Sequence, residues 1–120
     1  MFDRAEARID LDRIKSNINH LRGLSSTPVM AVVKADAYGH GLVPVAKAAL
    51  DAGASSLGVA LLEEAITLRK AGITAPILAW LVPPGSDFKL AVDNQIELAA
   101  SSIKALEEIG EVKSEFRPRV

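Results

Sequence analysis

Apolar, strand-like runs begin near positions 29, 56, 76, 96 and 116, and each of the first four is followed by a segment of helical periodicity. A recurrence of about 20 to 27 residues accommodates one strand, one helix and two short connections, so the chain reads as repeated βα units. Strands joined through helices run parallel, because each crossover returns the chain to its starting edge. A closed (β/α)8 barrel and an open doubly wound sheet both satisfy that constraint, and periodicity does not choose between them. A barrel takes about 250 residues. A chain of 120 residues that stops inside its fifth strand supplies about half of one.

Ahead of the first strand, Leu11, Ile14, Ile18 and Leu21 recur at spacings of three and four. This predicts an amphipathic helix over 10–24, with Asp10 as N-cap and Gly23 to Pro28 as the stop. Residues 29–33 are continuously apolar, as in a strand buried on both faces. Residues 35–41 read as a turn into a second helix, with Pro44 in its first turn, Gly53 past its end, and Val43, Ala46, Ala49 and Leu50 as its apolar stripe. Further strands are expected over 56–61, 76–82 and 96–100. Helices are expected over 63–71, from Ser86 or Asp87 to 92, and from Ser101 or Ser102 to 109. Residues 116–120 read as a fifth strand cut short.

Fourteen basic residues against fifteen acidic ones leave no excess positive charge to neutralise a phosphate backbone, so no nucleic-acid partner is expected. The absence of cysteine excludes disulfides, thiolate metal sites and cysteine nucleophiles, and is compatible with a reducing cytoplasm. No window reaches the roughly 18 uninterrupted apolar residues of a membrane span. The first nine residues carry Asp3, Arg4, Glu6 and Arg8 with no apolar stretch behind them, so neither a signal peptide nor a membrane partner is expected, and a cytoplasmic location is the default.

Lys34 stands at the end of the first strand, where parallel α/β folds gather their ligands. There it is either a desolvated amine able to act as nucleophile or base, or a lysine reaching into solvent. Tyr38, with Gly39 and Gly41 behind it and a helix beginning beyond, suits half of a phosphate cup or a plain loop. Trp80 ends the third strand, toward the same end of the sheet as Lys34, as core or as a cofactor wall. His20 and His40 lie on different elements without acidic partners at ligand spacing, so no metal site is expected; His40 with Asp36 is an orienting pair or a loop residue. The acid pairs Glu63-Glu64 and Glu107-Glu108 read as solvated faces and dipole partners, and the serine doublets at 25, 55 and 101 as caps and turns.

Taken together, Ala31-Val32-Val33-Lys34-Ala35-Asp36-Ala37-Tyr38-Gly39-His40-Gly41 resembles the pyridoxal 5'-phosphate (PLP) attachment motif of alanine racemases. The similarity extends to Ala7-Arg8-Ile9-Asp10-Leu11-Asp12 with Asn17, to Asp51-Ala52-Gly53-Ala54 and to Glu63-Glu64-Ala65. Related PLP-binding barrels keep the lysine but not this alanine-tyrosine-glycine-histidine-glycine continuation.

The resemblance implies that residues 1–120 are the N-terminal half of a TIM-like (β/α)8 PLP-binding barrel. The later strands and a β-rich C-terminal domain fall outside the chain, in a homodimer whose sites the partner completes. It implies that Lys34 forms the Schiff base with PLP and acts as base toward the Cα proton of D-alanine, that Tyr38 bonds the phosphate, and that Trp80 lines the cofactor. The second base that racemisation requires is, in the family, a tyrosine of the partner subunit. The arginines for the pyridine nitrogen and the substrate carboxylate also fall outside this chain. The implied activity, interconversion of L- and D-alanine for peptidoglycan, therefore belongs to the complete protein, and the fragment alone is expected to be inactive. A PLP-homeostasis barrel without amino-acid turnover and a non-enzymatic α/β module are the rival readings.

Overall fold

Asp10 opens the first helix as expected: its carboxylate accepts the N–H groups of Asp12 and Arg13, satisfying two donors that have no partner inside the helix. The structure, a computed structural model, describes residues 4–120; the first three residues of the N-terminal segment discussed above lie outside it. Helix α1 (Leu11–Leu24) leads to strand β1 (Met30–Val32), and a single helical turn, α2 (Lys34–Gly39), follows. The remaining elements are α3 (Leu42–Asp51), β2 (Ser56–Val59), α4 (Leu62–Lys70), β3 (Ile77–Ala79), α5 (Phe88–Asp93), β4 (Glu97–Leu98) and α6 (Ile103–Gly110).

All strand pairs are parallel and the sheet order is β1-β2-β3-β4. This sequential order, with no reversal, resolves the choice left by periodicity: it is the winding of a (β/α)8 barrel rather than a doubly wound sheet. The rows Ala31–Leu57–Ile77 and Val59–Ala79–Leu98 face the helices and are buried with Ala46, Ala49, Ala65, Leu68, Ala91, Ala105 and Ile109. Each fully buried aliphatic side chain there, such as Leu57, Leu68 or Ile77, contributes about 1.5–3 kcal/mol relative to an exposed one.

The opposite face is open. Expected to be buried on both sides, β1 buries only one: Ala31 and Val33 are covered, whereas Met30 and Val32 are 39% and 54% exposed. Alternation along a strand sends these two pairs to opposite faces, and among the described residues no helix covers the second. Residues 116–120 also differ from expectation. They form no strand; Arg119 ties them to β4 through one ladder-like bond, from the Leu98 N–H to its carbonyl at 2.9 Å, and through an ion pair of its guanidinium with Glu97 at 3.3 Å.

Local signals account for most boundaries. Asp87 and Ser102, each one of two proposed caps, accept the N–H groups of Leu90 and Ala105. The stripe of α3 is broader than its spacing suggested, since Val45 and Ala48 are buried while Val43 and Leu50 are half-covered. At the amino ends of the strands, the Arg69 guanidinium donates to the carbonyls of Ile73, Ala75, Asn94 and Gln95, tying the α4–β3 and α5–β4 connections together. Burial lowers its pKa and the nearby Glu97 carboxylate raises it, yet an arginine remains cationic throughout.

Candidate active site

The β1 ladder ends where the Val33 N–H reaches the Gly58 carbonyl at 2.9 Å, and Lys34 follows at the carboxyl end of the strand. The segment expected as a simple turn then winds left-handed: Ala35, Asp36, Ala37 and Tyr38 have φ of 52°, 55°, 49° and 53°. For L-residues this conformation costs about 1–2 kcal/mol each, and runs of it are rare. Only surrounding structure can hold such a run.

Several bonds do so. Within the segment, the Ala37 N–H donates to the Val33 carbonyl at 2.9 Å, and the Gly41 N–H to the Asp36 carbonyl at 3.0 Å. His40 Nδ1 donates to the Ala37 carbonyl at 2.9 Å, which makes Nδ1 the protonated ring nitrogen. The Asp36 carboxylate accepts the Leu42 N–H at 2.7 Å and so caps α3, whose N-cap position, Gly41, has no side chain to do it. His40 and Asp36 are thus not an orienting pair; each serves the backbone separately.

From outside, Glu64 supplies the remaining support. One carboxylate oxygen accepts the Ala35 N–H at 2.6 Å, and the other accepts the N–H groups of Ala60 and Leu61, both at 2.9 Å. Glu64 stands in the first turn of α4, as a dipole partner should, but it is not on a solvated face; that part of the expectation holds for the exposed Glu63. This arrangement also explains why β2 stops at Val59 instead of continuing to position 61: the next two N–H groups belong to Glu64. Glu108, likewise expected on a solvated face, accepts the Gly85 N–H at 2.6 Å and ties α6 to the loop after β3.

One turn apart, Lys34 and Tyr38 share a side of this segment. Lys34 Nζ donates to Tyr38 Oη at 2.5 Å and lies 4.6 Å from the ring centroid. The tyrosine is 71% exposed, so its hydroxyl proton is free to meet a ligand while its oxygen accepts from the lysine. Trp80 lies on the open face of the sheet, its ring over Gly58: a β-carbon at Gly58 would stand 2.6 Å from the ring and 3.1 Å from the Met30 sulfur. Lys34 and Tyr38 are therefore in direct contact, whereas the Trp80 ring packs over Gly58 of β2, near the Met30 sulfur, instead of against that pair. Glu64 is the residue that spacing did not single out. Besides its place in the Glu63-Glu64-Ala65 stretch, its sequence signal is its position three residues after Leu61 in the first turn of α4, where a glutamate reaches back to the N-cap backbone.

Residues 9–119 match the family model for the N-terminal domain of alanine racemase. The alanine racemase of Salinispora tropica is 54% identical over 107 residues, 89% of this chain and 29% of that protein. That of Mycolicibacterium smegmatis is 57% identical over 106 residues, 88% and 27% of the two chains. The crystal structure of alanine racemase from Corynebacterium glutamicum superposes with a TM-score of 0.87 at 40% identity, covering 92% of this chain and 32% of that one. The chain thus spans under a third of the length of these relatives. A barrel-type winding with a lysine at the end of β1, and a match over nearly the whole chain, lead to one conclusion: the chain belongs to the alanine racemase N-terminal domain family.

Proposed function

We propose that the complete protein carrying this chain is a PLP-dependent alanine racemase, in which residues 1–120 are the first half of the cofactor-binding barrel. The observation that carries this reading is the contact between Lys34 and Tyr38 at the carboxyl end of β1. The groups present fit PLP. A primary amine stands beside a phenol, which is an uncharged donor to a phosphate oxygen. Behind them a β-carbon at Gly39 would meet no atom within 4 Å, leaving room for an anion to approach the backbone. Met30, Val32 and Trp80 offer an apolar wall on the open face.

When bound, PLP supplies the electron sink that makes the Cα proton of alanine removable. Lys34 Nζ is the group that would hold the cofactor covalently and would move a proton at the Cα of D-alanine. Tyr38 Oη donates to the phosphate while its oxygen keeps Lys34 oriented. Trp80, as the resemblance implies, would line the cofactor. A second base must act on the opposite face of Cα, and Tyr38, the one tyrosine in the chain, is committed to the phosphate. The family resemblance implies that this base is a tyrosine of the partner subunit, in keeping with a cytoplasmic homodimer that supplies D-alanine for peptidoglycan.

Incubation of the complete protein with PLP and L-alanine should yield D-alanine, and the Lys34→Ala variant should yield none. The chain of residues 1–120 under the same conditions should match its own Lys34→Ala control. D-alanine production by the Lys34→Ala complete protein at the parent rate would overturn the reading.

A further inference from the structure

We propose that Glu64 is a positioning residue for Lys34, its carboxylate clamping the Ala35 N–H at one oxygen and the Ala60 and Leu61 N–H groups at the other. This role rests on the assignment of Lys34 made above. In an ordinary capping box the glutamate side chain contributes one bond, accepting the N–H of the N-cap residue three positions earlier. Here Leu61 supplies it, and the other oxygen is turned away from α4 to a residue 29 positions earlier. That residue is the first of the four left-handed ones and is bonded directly to Lys34. Glu64 thus fixes the end of the strained segment from which the lysine side chain departs, and it joins that segment to the carboxyl end of the neighbouring strand. A carboxylate suits the task because three donors converge on it and both of its oxygens only accept.

Glutamine separates the two roles. Its single carbonyl oxygen can keep the two donors of the α4 cap, but its NH2 group, a donor, cannot serve the Ala35 N–H. In the complete protein, E64Q should keep the thermal midpoint near the parent value and the exchange protection of the Ala60 and Leu61 amides. Protection at Ala35 should fall, and covalent attachment of PLP to Lys34, followed by mass spectrometry after borohydride reduction, should slow by about tenfold, the scale of one charge-assisted hydrogen bond. E64A, which also removes the cap, is the control for lost helix stability. Equal Ala35 protection and equal attachment rates in the parent protein and E64Q would overturn this role alone. So would slowed attachment in E64Q that only tracks a fall in its thermal midpoint, as in E64A. A parent protein that attaches no PLP at Lys34 would overturn the assignment of Lys34 and this role with it.

Discussion

The Trp80 ring occupies the space that a side chain on Gly58 would need, with a β-carbon there falling 2.6 Å from ring carbon Cζ3. A methyl group at Gly58 must push the indole off the sheet, and overpacking of this kind costs about 1–3 kcal/mol. Gly58→Ala is therefore expected to lower the denaturation midpoint. The chain contains a single tryptophan, so fluorescence reports the displacement directly, as a red-shifted emission from the folded state.

The Lys34–Tyr38 pair makes a second outcome specific. Tyr38→Phe keeps the ring and its contact with the ammonium but deletes the oxygen that accepts from Lys34 at 2.5 Å. A hydrogen bond to a charged group contributes about 1.5–3 kcal/mol. PLP affinity of the complete protein, measured by spectroscopic titration, is expected to fall about 10- to 100-fold in Tyr38→Phe.

Acid sensitivity is expected at the carboxyl end of α5. The pKa of Asp93 is lowered by hydrogen bonds from Lys89 Nζ and, secondarily, Ser114 Oγ, the latter tying the segment after α6 to α5. A carboxylate whose folded pKa lies below its unfolded value of about 3.9 contributes stability that is present above that value and is lost as pH falls through the folded pKa. Denaturation midpoints of the parent chain and Asp93→Asn should therefore differ at neutral pH and converge below about pH 4. Because Asp93 is exposed, the neutral-pH difference should also shrink with added salt.

The uncovered face of the sheet predicts how residues 1–120 behave alone. Met30 and Val32 expose apolar surface beside Trp80, and the outer edge of β1 has no described partner strand. Sedimentation velocity should show concentration-dependent association, which Val32→Lys, placing a charge on that face, should reduce. A single sharp monomeric boundary at all concentrations in the unmodified chain would contradict this.

Much of this architecture is legible in residues that act over short distances. Asp10, Asp87 and Ser102 are caps because their side chains reach N–H groups two or three residues away, and spacing alone reveals that. The αβ alternation, and with it the parallel sheet, follows from local periodicity, and the position of Lys34 at a strand end follows from both. The strands came out shorter than their apolar runs: β3 covers three residues where seven were expected, because pairing depends on a neighbour's register and not on the run itself.

The details of the candidate site are less legible in the sequence. Two alanines and a tyrosine in Ala35-Asp36-Ala37-Tyr38 resist a left-handed path, and only Asp36 tolerates it; the path is held by bonds within the segment together with Glu64, on the next βα unit, which accepts the first N–H of the run. Gly58 reads as a strand residue until Trp80, one βα connection later, is found above it. Order along the chain settled the elements, their caps and the amine at the end of β1, because each depends on neighbours a few bonds away. Sheet order, the strained turn and its clamp were settled by contacts between residues some 20 to 30 positions apart, which come within a few ångströms only when successive βα units pack side by side.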